Sequence, residues 1–145
     1  MRAAPVLLLA CLAAAGCSRP KQLSVDHAWV RLAAVPRQPA AAYFTIHGGP
    51  IDTTLIAVNT DVAIESEMHE TMASGGMTEM KPLASVPVPA KRVVAFAPGG
   101  RHVMLFDVNP GIKPGGKLTL TLTFANGERI LEDAAVIGAG EQPPK

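Results

Sequence analysis

The sequence predicts an all-β domain, a two-sheet β-sandwich of immunoglobulin-like type, and three observations predict it. Thirteen Pro and thirteen Gly are scattered through 145 residues, so the chain is cut into many short elements rather than a few long helices. Short apolar runs recur at roughly 8–12-residue spacing with turn residues between them. One of these runs, Lys117 to Phe124, alternates along its whole length: Leu118, Leu120, Leu122 and Phe124 share one side and threonines the other. No helical heptad, internal repeat or low-complexity segment competes with this reading.

The elements follow in order. Arg2 opens a signal-like segment whose apolar stretch, Ala3 to Gly16, is too short to span a bilayer. It ends in Ala14-Ala15-Gly16-Cys17, small residues ahead of a cysteine, and then turns abruptly polar. Residues 1–17 therefore read as an export signal with a lipobox, Cys17 being lipidated as the mature N-terminus. Ala14 stands where leucine is usual in such a box. Residues 18–24 form a polar tether, 25–138 the folded domain and 139–145 a disordered tail. The chain is placed in the periplasm of a Gram-negative-type cell, on the membrane through its lipid.

Within the domain, residues 25–31 make a first strand and 41–46 a second, stopped by Gly48-Gly49-Pro50. Trp29, Tyr43 and Phe44 are read as core. Residues 54–58 and 62–65 are joined through Asn59-Thr60-Asp61. Segments 65–72 and 77–83 form a hairpin around Gly75-Gly76. Strands 92–96 and 101–108 flank Pro98-Gly99-Gly100, read as a tight hairpin connection. Strand 117–124 turns at Asn126-Gly127, a type I′ signal, into 128–131.

Composition removes several function classes. A net charge of +1 with 17% charged residues leaves no electrostatic footprint for nucleic acid. Both cysteines, Cys11 and Cys17, lie in the signal segment, so the domain holds no disulfide and no thiolate. That excludes a blue-copper electron-transfer site, which needs a cysteine in its ligand set. There is no Ser-His-Asp signature, no carboxylate-bound metal water and no phosphate loop, so an enzyme is not expected.

The methionines carry the positive signal. Met68, Met72, Met77 and Met80 crowd a polar stretch that lacks apolar periodicity, where gap-filling of a core explains them poorly. In Arg101-His102-Val103-Met104, side chains two apart share a strand face, so His102 and Met104 point together. A two-residue loop at Gly75-Gly76 sets His69 opposite Pro82, with Met80 as its diagonal neighbour on the same face; a three-residue loop breaks that parity. Two imidazoles and two thioethers make a soft, neutral donor set. Zinc prefers Cys, His and carboxylates, calcium wants oxygen, and thioethers select copper(I).

The order His69, ten residues, Met80, twenty-one residues, His102-Val103-Met104 resembles the periplasmic copper chaperone family PCu(A)C, whose motif is His-x10-Met-x21-His-x-Met. Met68-His69-Glu70-Thr71, Gly76-Met77-Thr78-Glu79-Met80-Lys81-Pro82 and Pro98 to Leu105 extend the likeness, which covers essentially residues 25–136. The resemblance implies a cupredoxin-like sandwich with an exposed copper(I) site on His69, Met80, His102 and Met104. It also implies delivery toward the Cu(A) centre of cytochrome c oxidase, beside a thioredoxin-like copper chaperone, by a monomeric carrier. The tail lacks the His- and Met-rich copper(II) segment of many relatives.

Around this set, Met68 and Met77 are candidate auxiliary ligands, and Met72 a weaker one. His27 and His47 read as hydrogen-bonded strand-end residues. Glu67, Glu70 and Glu79 form a solvated rim from which a carboxylate can orient an imidazole through its second nitrogen. Copper sequestration uses the same site, so sequence does not separate it from delivery. A metal-free interaction sandwich is the remaining rival.

Overall fold

Period-2 alternation, with one residue in two facing inward, gives strands whose apolar faces must be covered by other strands. The computed structural model describes residues 21–145, and among them it forms ten strands and no helix. These are β1 (Ser24–Arg31), β2 (Ala40–His47), β3 (Thr53–Asn59), β4 (Glu65–Ser74), β5 (Met77–Leu83), β6 (Val86–Val88), β7 (Val93–Phe96), β8 (Arg101–Phe106), β9 (Lys117–Phe124) and β10 (Arg129–Ile137). The signal segment and Cys17 lie outside the described residues.

The strands pair in the order β5-β4-β8-β2-β1-β10-β9-β3-β6, with β7 also on β2. The two ends of the path do not diverge. β3 comes back against β4, so the sheet folds over onto itself and encloses one core. Val30, Phe44, Leu55, Val86, Phe96, Val103, Leu120 and Val136 meet there, each 2% exposed or less. The all-β expectation holds, and β9 has the predicted bounds and alternation. Each fully buried Leu or Phe on its inner face contributes about 1.5–3 kcal/mol of burial.

Several connections differ from the sequence reading. Residues 62–64 are not a strand, because the run does not alternate: Val62 and Ala63 pack against the core while Ile64 is exposed. Val86–Val88 is an additional strand at the sheet edge, and edges tolerate its central proline. The last strand runs on to Ile137 because it pairs in parallel with β1, Trp29 opposite Ala135.

Two turns also differ. The hairpin at Asn126-Gly127 exists, but its loop is three residues long. Phe124 N–H donates to Glu128 O, and only Gly127 has a positive φ, so the turn is not type I′. Pro98-Gly99-Gly100 is not a hairpin at all. β7 pairs with Phe44–His47 and β8 with Ala40–Ala42, both antiparallel to β2, so the turn is a jog between two strands that continue in one direction. After β10, segment 139–145 forms no strand. Glu141 returns to the domain, its carboxylate accepting from Gly138 N–H and its carbonyl from Arg31.

Candidate metal centre

The site is built by register. The β4–β5 turn is the two-residue loop Gly75-Gly76, with φ of 57° and 78°. Both torsions are positive, which a type I′ turn requires and glycine supplies without steric cost. His69 consequently faces Pro82, and Met80 faces Thr71, two pairs along. On the other side of β4, His69 is directly opposite His102, and Glu67 is opposite Met104. Paired residues project to the same side, so His69, Met80, His102 and Met104 share one outer face of strands β5, β4 and β8. Met80 and Met104 are each diagonal to His69, a spacing of roughly 7–8 Å that long side chains can bridge, and His102 is directly opposite it.

Their surroundings grade from buried to open. His102 is buried, His69 and Met104 are half-buried, and Met80 is 51% exposed. The two imidazoles lie face to face, with centroids 5.9 Å apart and planes 23° apart. They continue a row of rings across four strands: Trp29 to Tyr43 at 4.4 Å, and Tyr43 to His102 at 6.5 Å. Trp29 and Tyr43 are buried as expected, but in a small cluster of their own with Ile137, on the same outer face as the site. The signal for this was present, since Ala42, Phe44 and Ile46 claim the inner parity of β2 and leave Tyr43 outside. Burial raises the Tyr43 phenol above its usual range, against the opposing pull of Arg31.

Hydrogen bonds decide which nitrogens are available. Gly100 O accepts from the Nδ1–H of His102 at 3.1 Å and from the backbone N–H of Thr71 at 3.0 Å. That leaves Nε2 as the lone-pair nitrogen of a neutral His102 ring. The carbonyl is set by the jog, where Gly100 N–H donates to Ala97 O at 3.0 Å and Gly99 has a φ of 82°. His69 does the reverse. Its Nε2 is 2.9 Å from Glu67 Oε2, while its Nδ1 is buried with no hydrogen-bond partner. An unpaired buried nitrogen costs stability unless something occupies its lone pair. Two lone pairs with two thioethers nearby form the neutral, soft set that suits copper(I), and the residues present fit that ion.

The remaining candidates separate cleanly. Met68 is not a ligand neighbour: it is 6% exposed and packed in the core, on the face opposite to His69. Met72 and Met77 also point to that opposite face, and both are exposed at the hairpin tip. Met68 and Met72 stand at odd offsets from His69 along β4, and Met77 pairs with Ser74, itself at an odd offset, so all three turn away. Glu70 faces Arg101 across β4 and β8, 3.7 Å away, and Glu79 pairs with Met72. His27 and His47 lie elsewhere, both bonded to Asp26, with His27 Nδ1 at 2.7 Å and His47 Nε2 at 3.0 Å. The His27 bond above all holds the Asp26 carboxyl below its usual range.

A family model described as "Putative lipoprotein LpqE-like" matches residues 23–136. "Putative lipoprotein Lxx21020" of Leifsonia xyli subsp. xyli (strain CTCB07) is 30% identical over 107 residues, covering 72% of this chain and 63% of that protein. The chain thus spans less than two thirds of that relative. Among solved structures, the solution structure of CuI-DR1885 from Deinococcus radiodurans superposes with a TM-score of 0.62 at 28% identity, covering 85% of this chain and 83% of that one. The apo PCuAC domain from PmoF1 gives 0.66 at 27% identity, covering 83% and 97%. The copper-bound PCuAC domain from PmoF2 shares the fold, with a TM-score of 0.67 at 22% identity, covering 83% and 96%.

Proposed function

The chain belongs to the LpqE-like lipoprotein family, and we propose that it is an exported copper(I) carrier whose ion sits on His69, Met80, His102 and Met104. The observation that carries this reading is the register. One glycine turn and one strand pairing bring all four residues to a single sheet face, and a buried His69 nitrogen there lacks any partner. The likeness to CuI-DR1885, a copper(I) form by its name, supports the choice of ion.

The donor set suits a carrier in an oxidising compartment. Thioethers need no deprotonation and form no disulfides, so the site keeps its ligands where a cysteine pair risks oxidation. Its donors stand on paired strands, with His102 held by a backbone carbonyl, so the site keeps its arrangement when empty. Met80 is half open to solvent, which leaves a partner's ligand a path to the ion. We read Cys17 as the lipid attachment, holding the carrier at the periplasmic membrane surface. Its destination in this reading is the Cu(A) centre of cytochrome c oxidase, with a thioredoxin-like copper chaperone handling the thiol chemistry there.

The test is a competitive copper(I) titration of the full chain against a chromophoric chelator. One equivalent should bind, and Met80→Ala with Met104→Ala should abolish it. Oxidase activity in a deletion strain then tests the destination. Loss of activity under copper limitation supports delivery, whereas copper sensitivity alone means sequestration.

A further inference from the structure

We infer that Glu67 is a positioning residue that commits His69 to bind copper(I) through Nδ1, while His102 binds through Nε2. This rests on the copper reading above and adds to it which nitrogen each ring offers and what enforces the choice. Glu67 sits two residues before His69 on β4, on the same face, directly opposite Met104. Its Oε2 lies 2.9 Å from His69 Nε2. A carboxylate can only accept there, so the proton of a neutral ring is fixed on Nε2 and the lone pair on Nδ1. That Nδ1 is buried and unpartnered.

The two rings are thus prepared in opposite senses. His102 has Nδ1 tied to the Gly100 carbonyl, and His69 has Nε2 tied to a carboxylate. Side by side at 5.9 Å, they present one lone pair each from unlike nitrogens. Glu67 has a second consequence for the neutral donor set. Its negative charge is placed one hydrogen bond beyond the ligand rather than on the metal, so it orients the ring without offering the hard oxygen that zinc favours.

The side chain of Glu67 is 45% exposed, so replacing it leaves the core intact. Long-range 1H–15N spectra of the full chain in detergent, empty and loaded with silver(I) as the copper(I) surrogate, read the tautomer directly. The expected result is His69 protonated on Nε2 in both states, with the Nδ1 resonance moving on loading. Glu67→Ala should remove that tautomer preference and weaken silver(I) binding by about 10- to 100-fold. Glu67→Gln, whose amide oxygen still accepts from Nε2–H, should restore the tautomer and most of the affinity. Loaded His69 protonated on Nδ1, or a Glu67→Ala variant with unchanged tautomer and affinity, overturns the role of Glu67 while leaving the copper reading standing. Failure of the unaltered chain to bind silver(I) overturns both.

Discussion

His69 and His102 stand directly opposite one another across β4 and β8, and each is pinned by a different partner on a different ring nitrogen. In the proposed copper site, this pair joins the two strands. Hydrogen bonding holds the imidazoles in place before any ion arrives, and the methionines at Met80 and Met104 extend the donor set along the same face.

Metal choice should follow the thioethers. Replacing Met80 and Met104 together by Ala should remove silver(I) and copper(I) binding, leaving the weak zinc(II) affinity of the histidines unchanged. Isothermal titration with each ion reads the difference. Stoichiometric zinc binding as tight as that of silver(I) in the unaltered chain contradicts the assignment.

The empty protein should be folded, because its core is assembled by apolar side chains on the sheet face opposite the proposed ligands. Leu120 is fully buried, so Leu120→Ala should cost about 2–5 kcal/mol. Met80 is half exposed at the sheet edge, and Met80→Ala should stay within about 0.5 kcal/mol in the metal-free state. Thermal or denaturant unfolding of chelator-stripped protein measures both. An apo chain that melts without cooperativity makes this a structural metal site instead.

Gly99 should matter to the site through a single carbonyl. A Cβ at this position meets no atom within 4 Å, but φ is 82°, so Gly99→Ala pays only a conformational penalty of about 1–2 kcal/mol. Relaxing that strain moves the peptide that presents Gly100 O to His102. The expected outcome is a folded protein whose His102 Nδ1–H signal exchanges faster and whose copper(I) affinity is lower. An unperturbed His102 signal contradicts this route.

Acid should weaken one corner of the fold through Asp26. Its carboxyl is lowered by the bond from His27, with His47 adding to the effect and burial opposing it. A depressed folded value means the native state holds fewer protons. The stabilisation is therefore present above the ordinary aspartate range near 3.9 and disappears as pH falls through the lower folded value. Glu132 runs the other way, raised first by burial and then by Asp26 and Asp133. Asp26→Asn should melt below the unaltered chain at pH 6, and the gap should close as pH drops below about 4. Asp26 is 46% exposed, so the gap is modest. A gap that widens in acid contradicts this account.

Much of this was legible in the sequence wherever one residue type forces one geometry. Gly75-Gly76 marked the turn, and the two-residue loop found there sets the parity that brings Met80 beside His69. The alternation of Leu118, Leu120 and Leu122 dictated β9. The parallel pairing of β1 with β10 was not legible, because it joins segments a hundred residues apart without any turn to announce it. Pro98-Gly99-Gly100 carries the composition of a reversal, yet β2 supplies partners for the strands on both sides and keeps them in line. Met68 misled because methionine composition does not reveal parity; one step along β4 separates a ligand face from the core. Glu67 and Gly100 O become specific only through the packing that decides which nitrogen each one holds.

In the proposed site one copper(I) takes two nitrogens from His69 and His102 and two sulfurs from Met80 and Met104. X-ray absorption at the copper K-edge of the copper(I)-loaded full chain tests it most directly, with His102→Ala, Met104→Ala as the comparison. The expected spectrum has a copper(I) edge and a first shell of two nitrogens near 2.0 Å and two sulfurs near 2.3 Å, by analogy with imidazole and sulfur distances at zinc. The double variant should lose one scatterer of each kind and bind far more weakly. A shell of nitrogen and oxygen alone, or a spectrum unchanged in the double variant, would contradict it.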